Sequence, residues 1–382
     1  VTVKKLFLAL IPLLLFSHDA LASDFRSDKY VKDFLVQISK ETLNSEYQKA
    51  IDHSLELIER YPREPLPRLT LTSIYMYMLR SYWDFPLDEK YAMYKARFHE
   101  AATAALKACD EYPIQDAMIY FVRGMVLGTE ALVHLQNREW LESYSKGRRG
   151  VASLEKSLEM EPGNYDAYLG LGIFEYYCSK LTGAVKILAW IVGFHGDSEK
   201  GIDYVTKAMK YGTYARGPAK LFLADAFIEY ENKLDQGIEL TRSLRSMYPR
   251  NYLFVEYVVR AVKKLPPEKA DEGLGWIHTI IKTPKWKNDV ILFVPYNLEM
   301  VDYVEACLYL SKHDYAPAQE LLERVSKQSK VVNEFSTEVN LALLFVYRKT
   351  ANREGAKRIY SLIMLNVPIN DSHAKAKEIM KS

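Results

Sequence analysis

Cysteine is nearly missing from this chain. Three among 382 residues, Cys109, Cys178 and Cys307, lie far apart inside apolar helical patterns. That spacing is no disulfide framework; they read as small buried hydrophobes, with one long-range pair left open. An excess of one charge is missing too. Lys and Arg number 51 against 49 Asp and Glu, which argues against a broad electrostatic footprint for nucleic acid or anionic lipid. No Cys-x-x-Cys, His-x3-His or His-Glu-x-x-His pattern occurs, so the sequence displays no metal site. Neither a Gly-x-Ser-x-Gly elbow nor a phosphate-cradling Gly-x4-Gly-Lys loop is present. No catalytic residue and no cofactor is expected, and only carboxylates gathered by the fold from separate helices would escape that reading.

Long apolar runs are scarce after the first residues. Lys4-Lys5, the apolar run Leu6–Phe16 and the small-x-small site Ala20-Leu21-Ala22 before Ser23 together resemble a secretory signal peptide, residues 1–22. The run is too short for a stable membrane anchor, which takes about 20 residues. Val1 fits a GTG start codon read literally, hence a bacterial gene. The expectation is a chain exported to the periplasm or secreted, its mature part being 23–382.

What fills those residues is helical periodicity. Apolar residues recur at three- and four-residue spacing, while strand signals are few and only 17 Gly and 15 Pro punctuate the chain. A small residue recurs in the middle of an amphipathic helix that closes on an acidic-Pro or Tyr-Pro step. The series runs Ala50 (with Tyr61-Pro62), Ala101 (Tyr112-Pro113), Gly150 (Glu161-Pro162), Gly201, Gly237 (Tyr248-Pro249), Ala318 and Ala356. Gly201 to Gly237 is 36 residues and Ala318 to Ala356 is 38, near the helix-hairpin period of about 34; the earlier steps are each about 50 and hold extra turns. Eight units are expected, the one near Pro266–Lys282 being the least distinct. Glycine inside a helix costs about 1 kcal/mol relative to alanine. Gly172, Gly201 and Gly237 therefore mark places where two helix axes approach closely, and stacked hairpins bury what one hairpin cannot. Leu265-Pro266-Pro267 is the best candidate for a sub-boundary.

The stretch Asp166–Tyr176, DAYLGLGIFEY, resembles the first helix of a tetratricopeptide repeat. Tyr168 takes the aromatic place and Leu171-Gly172 the Leu-Gly pair, with Gly201 and Ala208 as the small places of the second helix. Lys312–Leu322 is a further match. A narrower resemblance begins at Leu181. Gly193-Phe194, Gly196-Asp197 and Gly201, with Tyr248–Phe254, are similar to elements of the tetratricopeptide repeat protein 39 and inclusion body clearance protein family. The resemblance implies an all-α fold of stacked hairpins in a right-handed superhelix, with an apolar helical insert, Leu181–Phe194, in one repeat. The family's eukaryotic members are non-enzymatic repeat proteins.

The repeat pattern directs Asp166, Leu169, Ile173, Tyr176 and Tyr177 of the fourth unit towards a concave groove. In the fifth it directs Ala219, Phe222, Ala226, Glu229 and Tyr230 there. Such an apolar, Tyr-rich surface suits a protein or peptide partner, or an acyl chain. The insert fills the interior, caps the groove or lies on a membrane surface with Trp190 at the interface. Gly196-Asp197 makes the turn out of it, and Asp197 or Ser198 caps the next helix. The expected function is a non-enzymatic exported scaffold, with a carrier of lipid or another apolar ligand, using 181–194, as the rival.

Overall fold

Across the described residues, periodic apolar spacing becomes helix. The computed structural model describes Phe25, 28–83, 86–181, Lys186, 196–251, 253–283, 296–328 and 333–381. Among the described residues there is no strand, and the helices pack in adjacent pairs. Residues 1–22 and most of the insert 181–194, including Gly193, lie outside the described residues. The chain divides into two compact units, Val1–Leu223 and Ala224–Ser382; the Leu265-Pro266-Pro267 step falls inside the second.

In the first unit α1 (Lys29–Leu43) pairs with α2 (Tyr47–Arg60) and α3 (Leu66–Arg80) with α4 (Glu89–Glu111). Next, α5 (Ala117–Gln136) pairs with α6 (Trp140–Met160), and α7 (Ala167–Lys180) with α8 (Ser198–Tyr211). The first helices of successive pairs also touch: α1 with α3, α3 with α5, α5 with α7. Helix α9 (Arg216–Glu229) starts in this unit and ends in the second.

In the second unit α10 (Leu234–Met247) is followed by α11 (Leu253–Lys263) and α12 (Ala270–Trp276), which runs on as a π-helical turn, Ile277–Ile281. Then α13 (Tyr296–Ser311) pairs with α14 (Tyr315–Gln328) and α15 (Glu334–Lys349) with α16 (Arg353–Leu365). Helix α17 (Ser372–Lys381) lies on α15 and α16. Again first helices meet, α11 on α13.

Side chains set the helix starts. Asp28, Asp88, Asp116 and Asp197 accept from backbone N–H groups of the first turns of α1, α4, α5 and α8, satisfying donors that have no partner inside the helix. Asn333 and Ser336 form a reciprocal capping box at α15.

Helix ends within four pairs share one geometry that the sequence conceals. Ser45, Arg138, His313 and Ala351 all adopt left-handed backbone, with φ of 60°, 61°, 58° and 56°. In each case the next N–H reaches back five residues: Glu46 to Glu41 O, Glu139 to His134 O, Asp314 to Tyr309 O and Asn352 to Tyr347 O. This is the closure in which a left-handed residue lets the chain satisfy the last helical carbonyls.

The recurrent small residues all sit on second helices and are buried: Ala50, Ala101, Gly150, Gly201, Gly237, Ala318 and Ala356. A Cβ built on Gly172 would stand 2.7 Å from Gly201 O and 2.6 Å from Val205 Cγ2. Gly124 and Gly150 make a similar crossing of α5 and α6, each Cβ within 2.9–3.1 Å of the other's carbonyl oxygen. The indistinct unit carries a small residue as well. Gly273 of α12 faces Leu265 and Leu308, 36 residues beyond Gly237. The tyrosines of the three Tyr-Pro steps, Tyr61, Tyr112 and Tyr248, follow α2, α4 and α10 directly and are buried. Cys109 is buried, Cys178 and Cys307 are half-buried, and all three are free thiols.

Candidate functional site

The residues expected in the groove divide into two kinds. Leu169 and Tyr176 are core: 5% and 0% exposed. Tyr176 points inward because Gly201 of α8 stands against its backbone and Cβ, where any larger residue would push α7 away. Asp166 is also withdrawn from any groove. It precedes α7, is 7% exposed, and its Oδ1 accepts from Tyr214 N at 2.9 Å and Ala215 N at 2.8 Å. It therefore ties the start of α7 to the start of α9. Burial pushes its carboxyl above the usual range, and the hydrogen bonds from the backbone of 213–215, with the Arg216 charge, pull the other way. These three positions, and with them Ala219 and Ala226 of α9, which are 0% and 1% exposed, are framework and not surface open to a ligand, because neighbouring segments cover the side chains that the repeat pattern directs to the groove.

Ile173, Tyr177 and Phe222 remain half-buried and hence partly available. Two helices bring the last two together. The Tyr177 and Phe222 rings stand edge to face at 5.8 Å, and both rest on Tyr176, at 6.0 and 5.3 Å. The Lys180 ammonium lies 4.9 Å from the Tyr176 ring centroid. The result is a small aromatic surface with one cation beside it, the composition that binds peptide backbones and side chains at low rotamer cost. Glu229 and Tyr230 belong to the second unit. Glu229 is half-buried and its carboxylate lies 3.4 Å from Lys264 Nζ; Tyr230 is 48% exposed. In the second unit Gly237 presses on Ile228 and the Ala224 carbonyl. Gly196 has a left-handed φ of 49°. Asp197 caps α8 through hydrogen bonds from Glu199 N and Lys200 N.

Neither of two polar clusters was read as a site from the sequence. In the first unit His99 of α4 faces His134 of α5, ring centroids 5.9 Å apart. Around them His134 Nδ1 bonds Glu139 at 2.5 Å and Lys146 bonds the buried Glu130 at 2.8 Å. Burial holds the His99 imidazole below its ordinary pKa, and the neighbouring His134 adds to that while Glu130 opposes it. In the second unit Asp302 and Glu305 of α13 are 9% and 5% exposed. Lys282 lies between them, Arg324 Nη1 bonds Asp302 at 3.1 Å and His278 Nε2 bonds Glu305 at 2.7 Å. His278 sits in the π-helical turn and Lys282 at its end. The sequence signal was there: Asp302 and Glu305 interrupt an otherwise apolar helix. Here every carboxylate is matched by a cation, an arrangement that fixes helix packing. Among the described residues no group of three or more His, Cys, Asp or Glu side chains could hold a metal ion.

Comparison with protein families finds no family that matches, and none of the curated proteins compared matches the chain.

Proposed function

We propose that the helix pairs are tetratricopeptide-type repeats stacked in a right-handed superhelix, exported from a bacterial cytoplasm. The protein would work as a non-enzymatic scaffold that grips a protein or peptide. The repeat reading draws support from the buried small residue on each second helix, the shared left-handed turn, and the contacts between successive first helices. The binding reading rests on one observation: Tyr177 of α7 and Phe222 of α9 form a half-buried aromatic pair on two successive first helices. In such an array the first helices line the inner face, so this pair and Ile173 supply its contact area. A rigid stack orders those side chains before the partner arrives, which lowers the entropic cost of association.

The test is cross-linking and affinity purification of the full chain from intact cells, with proteins and lipids both identified. Tyr177→Ala with Phe222→Ala should lose a protein recovered with the wild type while the helical fold is retained at a lower melting temperature, because both rings pack on the buried Tyr176. A partner retained in full by that variant would refute the groove assignment. Lipid recovered without protein would refute the scaffold.

A further inference from the structure

Where the second helix pair of the first unit meets the third, titrating groups gather from three helices. His99 lies near the middle of α4 and His134 near the end of α5, their rings 5.9 Å apart. His134 Nδ1 bonds the Glu139 carboxylate at 2.5 Å, and the Glu139 N–H returns to the His134 carbonyl at 2.9 Å. Side chain and backbone thus tie His134 to the left-handed turn at Arg138. Lys146 of α6 donates to the buried Glu130 of α5 at 2.8 Å, and Lys95, one turn before His99, stands 3.7 Å from Glu139. Helix α3, the other neighbour of α4, brings no carboxylate: its ionisable side chains are Arg68, Tyr75, Tyr77 and Arg80.

With both histidines neutral, two lysines face two carboxylates. Each proton that a histidine takes up adds a positive charge that no further carboxylate of this group can match. Burial opposes that charge on His99 first; His134 and Lys95 also repel it, and Glu130 and Glu139 draw it in. We propose that the α4–α5 seam is an acid-opened joint, at which the second helix pair parts from the third below neutral pH while the contact between first helices, α3 on α5, persists as the hinge.

Two physical arguments place the opening here. The first is packing. Helices α3 and α4, and likewise α5 and α6, are packed on each other more extensively than α4 is on α5. The seam between pairs is therefore the weaker contact and opens before a pair comes apart. The second is linkage. Histidine exchanges its proton within the range pH 5–8, and a seam that admits water restores to His99 its ordinary affinity for that proton. Below 6.5 each fall of one pH unit then favours the open form by up to about tenfold, until the closed form binds the proton as well. The sign follows from the lowered folded value: neutral His99 holds the seam shut and charged His99 releases it. An exported chain, as proposed above, takes the pH of its surroundings, and this joint converts that pH into a change in the curvature of the array.

The experiment is native-state hydrogen exchange of the full chain at pH 7 and pH 5, read peptide by peptide as protection factors, which remove the intrinsic effect of pH on exchange. In the wild type, peptides within α4 and α5 should lose about tenfold or more of their protection at pH 5, while those of α14 and α15 keep theirs. His99→Gln should hold α4 and α5 protected at both pH values. His134→Gln, which removes a repelling charge, should show a smaller loss than the wild type, and it carries the test if His99→Gln does not fold. The double variant should match His99→Gln alone, because His134 acts through the proton on His99; a role in packing alone would add the two effects. Equal protection of the wild type at both pH values would overturn the joint. So would a loss undiminished in His99→Gln or His134→Gln, a loss spread evenly over both units, or additive effects in the double variant.

Discussion

Gly172 and Gly201 face each other across the α7–α8 crossing, each backbone filling the space where the other's side chain would be. A methyl group on Gly172 would meet Gly201 O at 2.7 Å, and one on Gly201 would meet Gly172 O at 2.8 Å. The obstacle is backbone on both sides, which no rotamer change relieves. Gly172→Ala or Gly201→Ala should therefore destabilise the fold by about 1–3 kcal/mol, the cost of overpacking. Gly128 lies in α5 with nothing within 4 Å of a built Cβ. Gly128→Ala should instead add about 0.5–1 kcal/mol by helix propensity. Chemical denaturation of the three variants checks the sign at each position.

Ala351 bears a left-handed φ of 56° that an alanine side chain resists. Glycine removes that penalty, roughly 1–2 kcal/mol for a residue held there, less the entropy it adds to the unfolded chain. Ala351→Gly is expected to raise stability by about 0.5 kcal/mol or more. A lower melting temperature would show that the alanine methyl makes a contact worth more than the strain.

Asp166 separates the charge of a cap from its geometry. Its folded pKa is raised, chiefly by burial, so its contribution to stability is greatest below the unfolded value of 3.8 and is lost as pH rises through the folded value. At neutral pH the buried charge is a cost. Asp166→Asn keeps an oxygen to accept from Tyr214 and Ala215 and discards that charge, so it should match or exceed wild-type stability at pH 7. Asp166→Ala loses the acceptor and should cost about 1 kcal/mol, as for other cap deletions. Denaturation of both variants at neutral pH decides it; an Asn variant as weak as the Ala variant would show that the charge itself stabilises the turn.

His99 works in the opposite pH direction. Its folded pKa lies below the ordinary 6.5, first because it is buried and also because His134 and Lys95 repel a second positive charge, against the pull of Glu130 and Glu139. Its stabilising contribution is present above the unfolded value and is lost as pH falls through the folded one. Melting temperature should decline as pH drops from about 7 towards 5, the window in which histidine titrates, and His99→Gln should flatten that decline. An identical pH profile in the variant would exclude His99 as its origin.

Much of the fold was legible because one kind of packing event repeats. Ala50, Ala101, Gly150, Gly201, Gly237, Ala318 and Ala356 all lie buried on second helices, and a small residue at a helix crossing leaves a mark that spacing can detect. Gly273 obeys the same 36-residue step from Gly237 yet was not picked out, since its helix is short and passes into a π-helical turn. The left-handed turns escaped for another reason. Ser, Arg, His and Ala carry them, so no shared residue type announces the geometry.

The candidate site was legible only in part. Periodicity places Leu169, Ile173, Tyr176 and Tyr177 near one stripe of α7, but it does not say how much of that stripe α8 covers. Tyr176 is enclosed by Gly201 and Phe222, while Tyr177, one residue on, keeps part of its ring uncovered. The repeat pattern directed Asp166 to the groove, and only the returning chain at Tyr214 and Ala215 gives its carboxylate a framework role.

By itself the sequence determined the all-helical class, the Tyr-Pro stops, the Asp197 cap and the small residues that allow close approach, because these depend on local propensity and on period. Tertiary structure decided which aromatic is core and which is surface, and that the carboxylates of α13 are paired with Lys282, His278 and Arg324. Those outcomes depend on contacts between residues far apart in the chain. Burial and charge pairing are properties of what a side chain meets, and that is settled only when the helices pack.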